Sequence, residues 1–224
     1  RIDQKYESFN GVEEILKNSR HSIVFIPGNH DFSVAPCKKS KIVAKTGHPK
    51  GYHSQTIGNW QFIFLNGMDN SLIAHTWISP KYWTAWRKLK DLEEKKSPNA
   101  YDWNGGLGRK QLSWFKSQLE TAKNKELHVV VFCHQPLFPG NAHNLWDYEE
   151  LLNYFSNYTE EIWWISGHDH RGGYQDIDNL HLLTLKGMVE GSELSYGILE
   201  LTEHTVNLLG FGNQLSLVDL QKKP

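Results

Sequence analysis

The chain has 224 residues, of which 39% are hydrophobic and 22% are charged, the balance of a folded globular domain. Its formal net charge of −1 gives no reason to expect nucleic acid as an electrostatic partner. No apolar run approaches the roughly 20 residues that cross a bilayer, and two cysteines are too few for a disulfide framework. We therefore expect one domain over residues 1–224, without membrane contact, in a reducing, cytoplasmic setting.

The first predicted elements lie ahead of a Pro-Gly turn. Residues 10–20 predict a short helix, with Asn10 as its cap and Glu13 completing a capping box. The apolar positions on one face of this helix are Val12, Ile15 and Leu16. Residues 22–26 form a β-branched apolar run that ends at the Pro-Gly pair, which predicts a buried strand.

The middle of the chain predicts a strand followed by two helices. Residues 59–67 are typical of a strand. Residues 79–96 predict a helix, because Ser79 suits the cap and Pro80 suits the first turn. Residues 108–123 carry apolar side chains at helical spacing, which predicts an amphipathic helix.

The second half adds buried strands and a β-rich tail. Residues 127–132 and 161–166 predict buried strands on either side of a helix over 147–155. Residues 180–189 and 195–211 alternate like paired strands with short turns. Helices between apolar strands, followed by a β-rich tail, indicate an α/β or mixed-sheet domain.

Three of the predicted strands run directly into polar clusters. These hold Asn29, His30 and Asp31 after the first strand, His134 after the second, and His168 and His170 after the third. Parallel strands place such loops along one edge of a sheet, where ligands bind. Imidazole nitrogens suit Mn, Fe, Co or Zn, and an asparagine carbonyl adds an oxygen donor. Each cluster alone is typical of a polar turn, but three together predict a metal site.

Here the sequence resembles a known family. The motifs "GNHD", "HQP" and "GHDH" occur in this order and are similar to the later motifs of the calcineurin-like metallophosphoesterases. The resemblance implies an α/β fold, a two-sheet αββα sandwich, with a two-metal site that hydrolyses a phosphoanhydride or phosphoester.

The resemblance also implies individual roles. Asn29, His134 and His168 would bind one metal ion, and His170 would bind the other. His30 would be the catalytic histidine beside the substrate phosphate. The remaining motif residue, Asp31, would orient His30.

A closer resemblance covers most of the chain. The stretches "GYHSQTIGNWQFIFLNGMD", "WNGGLGRKQLSWFKSQL", "VFCHQPLFPG", "SGHDHRGGY" and "LLTLKGMVEG" are similar to the Mn-dependent ADP-ribose/CDP-alcohol diphosphatases. This implies two divalent metal ions, Mn in preference to Fe or Zn. It also implies a small phosphorylated substrate, a nucleotide diphosphate conjugate.

The family's D-x-H and G-D motifs do not precede Asn29 in this chain. We therefore expect a domain that lacks its N-terminal strand and first motifs, and these 224 residues alone to have little activity. A phosphomonoesterase or phosphodiesterase of the same family remains an alternative. A non-catalytic scaffold that binds one metal ion is the rival from another class.

Several other features carry weaker expectations. We expect residues 68–104 to form a cap over the site, and the glycine-rich run 103–108 to be a flexible lead-in to the next helix. Cys133 is expected to be a buried structural thiol, while Arg171 and Glu190 are candidates for substrate contact. A cluster of aromatic side chains is expected to lie in the core rather than to stack a nucleobase: Trp77, Tyr82, Trp83, Trp86, Tyr101 and Trp103.

Overall fold

The computed structural model describes residues 6–189, 192–203 and 205–221. The helices in these ranges are α1 (Ser8–Leu16), α2 (Lys39–Ala44), α3 (Pro80–Glu94), α4 (Arg109–Asn124) and α5 (Tyr148–Phe155). Two short 3-10 helices span Asn29–Phe32 and Pro36–Lys38. None of the helices in the described ranges has the length and apolar character that a membrane span requires.

The strands form two sheets. They are β1 (His53–Ile57), β2 (Trp60–Phe64), β3 (His128–Phe132), β4 (Ile162–Ser166), β5 (Gly173–Ile177), β6 (Leu180–Thr184), β7 (Ser195–Leu201), β8 (Thr205–Gly212) and β9 (Leu217–Gln221). The larger sheet has the order β1-β2-β3-β4-β6-β5, and the smaller has the order β7-β8-β9. Strands β2, β3, β4 and β6 are parallel, whereas β1 and β5 pair antiparallel at the edges. The carboxyl ends of the four central strands therefore share one edge.

Side chains from both faces of the larger sheet are buried. Helices α4 and α5 cover one face, where Phe115, Leu119 and Phe155 pack against Trp164 and its neighbours. Phe115 and Leu119 are four residues apart and lie on one face of α4, which is why α4 is amphipathic. The opposite face packs against the smaller sheet through residues such as Trp163 and Val206. The predicted two-sheet, mixed α/β fold is confirmed.

The predicted elements after residue 58 are confirmed with small shifts at their ends. Residues 59–67, 127–132 and 161–166 contain β2, β3 and β4. The predicted helices over 79–96, 108–123 and 147–155 correspond to α3, α4 and α5. Ser79 caps α3 as expected, since its hydroxyl oxygen accepts a hydrogen bond from the Lys81 amide.

The prediction of a strand over residues 22–26 is wrong. This segment has no regular secondary structure, and Ile23 and Val24 are 50% and 38% exposed. A strand needs a neighbour with a free edge, but β3 is already paired with β2 and β4. Ile26 and Phe132, the last residue of β3, line one cavity. The apolar run therefore reaches the sheet without joining it.

The first helix begins earlier than predicted and buries a different face. Helix α1 spans Ser8–Leu16, so Asn10 lies inside it and no side chain caps its start. Val12, Ile15 and Leu16 are exposed, whereas Phe9 is buried and packs edge-on against Phe25. The predicted apolar face is thus not the face that the fold uses.

The aromatic cluster was predicted to lie in the core, and this is wrong for most of its members. Trp77 is 71% exposed, and Trp83, Trp86 and Tyr101 are exposed as well. Helix α3 instead buries Ala85, Leu89 and Leu92, which pack against Trp146. The expected cap over residues 68–104 contains this helix and stays a prediction.

The glycine-rich run 103–108 was predicted to be flexible, but several contacts hold it in place. Gly106 exchanges two backbone hydrogen bonds of 2.9 Å with Asn70. The Leu107 amide donates to the Asp147 carboxylate at 2.7 Å. A Cβ at Gly105 would lie 2.4 Å from the Gly67 carbonyl oxygen, so only glycine permits this close backbone approach.

Candidate metal centre

His134 and His168 lie at the ends of neighbouring parallel strands. His134 follows β3 and His168 follows β4, and their segments stay paired beyond the strands because the Gly167 amide donates to the His134 carbonyl at 3.0 Å. His168 has a backbone φ of +67°, a left-handed conformation that costs non-glycine residues free energy. Such strained residues cluster at functional sites. The sheet therefore brings two distant histidines side by side.

The loop before the first 3-10 helix brings Asn29 to the same place. The Asp31 carboxylate accepts a hydrogen bond of 2.7 Å from the Gly28 amide and closes this turn. A Cβ at Gly28 would lie 2.6 Å from the His134 ring. Glycine at this position is thus what allows the loop to approach His134 closely.

Three donor atoms converge as a result. His134 Nε2 lies 3.1 Å from Asn29 Oδ1 and 3.1 Å from His168 Nδ1. In the described ranges, no three His, Cys, Asp or Glu side chains form a metal site by themselves. The Asn29 carbonyl completes this set, because ligands about 2.0–2.2 Å from one ion lie roughly 3 Å apart. The residues fit a divalent metal ion with mixed nitrogen and oxygen ligands.

Asn104 determines which nitrogen of His168 faces the other donors. This buried amide donates through Nδ2 to the carbonyl oxygens of Asn99 and Ala142, at 3.0 and 2.8 Å. Its Oδ1 is therefore the acceptor for His168 Nε2, at 2.9 Å. With the proton on Nε2, the lone pair of Nδ1 points toward His134 and Asn29. A hydrogen bond of this kind is the usual orienting contact of a metal-ligating histidine.

Both histidines are held in the neutral form. Burial, with the nearby His30 and His170, lowers the pKa of His134 to about 4. Burial and the neighbouring His134 ring lower the pKa of His168 to about 2. Neutral imidazole is the form that binds metal ions. Burial also raises the pKa of Asp31, opposed by its hydrogen bond from Gly28.

A cavity of about 730 Å³ opens over this cluster. Its lining includes the predicted residues Asn29, His30, His168, His170 and Arg171. His170 also packs against the backbone, because a Cβ at Gly187 would lie 2.7 Å from its ring. Five of the side chains predicted to bind metal, bind substrate or act in catalysis thus border one space.

Asp169 has a different function from the histidines on either side of it. Its carboxylate accepts hydrogen bonds from Arg171 Nε and a terminal guanidinium nitrogen, at 2.9 and 2.7 Å, and from Asn141 at 2.8 Å. Mainly the Arg171 hydrogen bonds hold the pKa of this carboxyl well below its usual range. The pair orders the loop, and Arg171 remains largely exposed beside the cavity. Substrate contact by Arg171 stays a prediction.

Some site residues were missed by the sequence analysis, and one lies outside the structure. Asn104, His143 and Trp103 surround His168, with ring centroids of His143 and Trp103 each 5.3 Å from its ring. Trp103 and Asn104 belong to a stretch that carries the family resemblance, but nothing in the sequence placed them beside His168, and no motif marks His143. Glu190 lies outside the described residues.

Cys133 is a buried thiol, as predicted. It is 2% exposed, and burial raises its pKa to about 12. A thiol protonated at neutral pH is a poor nucleophile.

The site thus combines histidine donors at the carboxyl ends of β3 and β4 with an asparagine from an adjoining loop, in a fold that resembles a dimetal phosphatase. The structure resembles the crystal structure of a dimetal phosphatase from Danio rerio with a TM-score of 0.82, covering 94% of this chain and 76% of that one. The two sequences are 22% identical, so this likeness concerns the fold.

The sequence model of the calcineurin-like phosphoesterase family matches residues 4–172, and the chain belongs to this family of hydrolases. It is 28% identical to the Manganese-dependent ADP-ribose/CDP-alcohol diphosphatase of Arabidopsis thaliana, over 94% of this chain and 71% of the relative. It is 30% identical to the protein of the same name from Xenopus tropicalis, over 72% of this chain and 52% of that relative. The match thus spans only about half of the Xenopus protein.

Proposed function

We propose that this protein is a metal-dependent phosphohydrolase that cleaves a phosphoanhydride in a nucleotide diphosphate conjugate. ADP-ribose and CDP-alcohols are the favoured substrates, and two divalent ions, preferably Mn²⁺, are the favoured cofactors. The observation that carries the proposal is the convergence of Asn29 Oδ1, His134 Nε2 and His168 Nδ1 within hydrogen-bond distance. The names of the relatives support the substrate class and the metal.

Each residue of the cluster has a proposed task. Asn29, His134 and His168 hold the first ion, and His170 provides a ligand for the second. Bound divalent ions lower the pKa of a water molecule and neutralise phosphoryl oxygens. His30 lines the same cavity and is proposed to donate a proton to the leaving oxygen.

Asp31 and Arg171 are proposed to act on other groups at the site. The Asp31 carboxylate holds the turn before His30 through the Gly28 amide, which restricts where the imidazole can lie. Arg171 lies at the cavity with its guanidinium fixed by Asp169, where it can contact a phosphate oxygen.

The non-catalytic scaffold remains a second candidate for one reason. Three donors for the first ion converge, whereas His170 is the one residue assigned to the second. A scaffold with one firmly bound ion would hold the metal without turnover. Metal content separates the two proposals, because two tightly bound ions per chain would contradict the scaffold.

The test is hydrolysis of ADP-ribose, CDP-choline and a generic phosphodiester by the 224-residue chain with added Mn²⁺. We expect weak but metal-dependent turnover, highest with a diphosphate conjugate and abolished in the His134→Ala and His30→Ala variants. Preference for the generic phosphodiester would support the alternative specificity within the family. Metal binding without turnover of any of the three compounds would contradict the enzyme proposal.

A further inference from the structure

A second large cavity lies apart from the metal centre. Its volume is about 860 Å³, in the range of small-molecule sites, and it shares no lining residue with the cavity over the histidines. It is bordered by α2, by the turn after β2, and by the first residues of α3 and α4. Lysines from each of these helices line it: Lys39 from α2, Lys81 from α3 and Lys110 from α4, with Lys50 from the loop before β1.

The charge at this cavity departs from that of the whole chain. Four lysines line it against one carboxylate, although the formal net charge of the chain is −1. Asp69 is the carboxylate at the cavity wall, and it pairs with Lys81 at 2.7 Å. Within the described ranges, Lys39, Lys50 and Lys110 form no ion pair. The cavity therefore presents three uncompensated positive charges.

The position of Lys39 strengthens this observation. Its side chain is about half buried, and its ammonium group donates a hydrogen bond to the Ile73 carbonyl. Burial lowers the pKa of Lys39, with no acidic partner to oppose that effect. An anion in the cavity would offset the cost of placing this charge there.

Two aromatic side chains also line this cavity. Tyr52 and Trp114 both line the cavity, with ring centroids 4.7 Å apart. The cavity thus combines ammonium groups with two aromatic rings, whose planes are tilted by 44° to each other.

We propose that this cavity binds a small polyphosphate anion, either inorganic or the phosphate chain of a nucleotide. Ammonium groups from separate elements can each contact a different phosphate oxygen, as compact, strongly hydrated point charges. The site is separate from the metal centre, so it offers the protein a second ligand beyond the proposed substrate.

The test is calorimetric titration of the 224-residue chain with tripolyphosphate, ATP and adenosine in the presence of EDTA. EDTA removes metal-dependent binding at the histidine cluster. We expect saturable binding of tripolyphosphate and ATP that weakens as salt is added, and none of adenosine. Tighter binding of ATP would assign the Tyr52–Trp114 wall to the base, and equal affinities would assign recognition to phosphate alone. Both outcomes support the proposal.

Matched double variants make the test specific. Lys50→Ala with Lys110→Ala removes two exposed cavity lysines and should weaken tripolyphosphate binding about tenfold or more. Lys90→Ala with Lys95→Ala removes the same charge from the exposed C-terminal end of α3 and the residue after it, and should leave the affinity unchanged.

Four results would overturn the proposal. One is an equal loss in both double variants, and another is the absence of saturable binding. The third is loss of binding in His134→Ala, which would place the anion at the metal centre. Tighter binding of single-stranded RNA than of tripolyphosphate would instead assign the lysines to a nucleic-acid surface and also overturn it.

Discussion

At the scale of single residues, the Asn104 amide has the clearest testable role. It is fixed by two backbone carbonyl oxygens and accepts a hydrogen bond from His168 Nε2. Without it, the proton of His168 is free to move to Nδ1, the nitrogen that faces His134 and Asn29. A ring with its proton on Nδ1 has no lone pair for a metal ion at that position.

Replacing Asn104 by Ala should therefore weaken Mn²⁺ binding by about 10–100-fold, the usual effect of removing an orienting partner. Titration calorimetry of the folded variant measures the affinity directly. Asn157→Ala is the matched control, because the hydrogen bonds of this exposed amide go to its own helix end and the adjoining turn. Unchanged Mn²⁺ affinity in Asn104→Ala would contradict the orienting role.

Gly28 provides a second test at the same scale. A methyl group at this position would meet the His134 ring at 2.6 Å, so the ring or the Asn29 loop must move. We expect Gly28→Ala to lower Mn²⁺ affinity roughly tenfold and to destabilise the fold by about 1–3 kcal/mol through overpacking.

Gly11→Ala serves as the control, since nothing lies within 4 Å of the Cβ position there. Gly11 lies inside α1, where Ala is the better helix former and should add about 0.5–1 kcal/mol of stability. If Gly28→Ala bound Mn²⁺ as tightly as Gly11→Ala, the close approach at position 28 would have no bearing on the site.

The sequence could identify some site residues but not others. Asn29, His134 and His168 belong to short ordered motifs that imply a shared edge of the sheet. Asn104 and His143 come from loops whose path depends on tertiary contacts, such as the Asn70 bridge to the glycine-rich run. Spacing along the chain holds no record of such contacts, so these residues required the structure.

At the scale of secondary-structure elements, an apolar run formed the predicted strand only where neighbouring strands could pair with it. The apolar runs that became β3 and β4 have partners on both sides, so their composition was a sufficient guide. Residues 22–26 have the same composition, yet the neighbouring strands of the sheet have no free edge for them. Strand propensity describes a residue's fit to a sheet and says nothing of whether a place in it exists.

His181 links three strands at the end of the sheet opposite the histidine cluster. Its ring stacks on Trp163 of β4 at 4.1 Å, and its nitrogens lie 2.6 Å from Asp176 of β5 and 2.7 Å from Glu161. His181→Ala would leave the mostly buried Glu161 carboxylate without this partner. We expect a loss of about 3 kcal/mol or more in the free energy of unfolding.

Urea unfolding measures this loss, and His21→Ala, an exposed residue, should change stability by less than about 0.5 kcal/mol. Mn²⁺ affinity of the folded His181→Ala protein should match that of the parent chain, because Trp163 and His181 lie near the start of their strands. Comparable stability of the two histidine variants would show that the buried network contributes little.

At the scale of the whole molecule, net charge concealed how charge is distributed. A value of −1 gave no reason to expect a polyanion-binding surface. It did not reveal that Lys39 and Lys50 meet lysines of α3 and α4 around one cavity. Local charge density depends on which elements the fold brings together, and composition averages over them.

Metal binding should also stabilise the whole fold, because the proposed ligands join a loop near residue 29 to the ends of β3 and β4. A ligand that binds only the folded state at 100 times its Kd adds about 2.7 kcal/mol. For a chain of this size that corresponds to a rise in Tm of about 5–10 °C.

Differential scanning calorimetry with and without Mn²⁺ measures this rise, which EDTA should reverse. His134→Ala should unfold cooperatively at a Tm that does not respond to Mn²⁺, since it lacks the nitrogen that lies between the other two donors. Lys90→Ala, remote from the cluster, should respond as the parent chain does. An equal rise in His134→Ala would place the stabilising ion elsewhere and remove the basis for a metal centre at these residues.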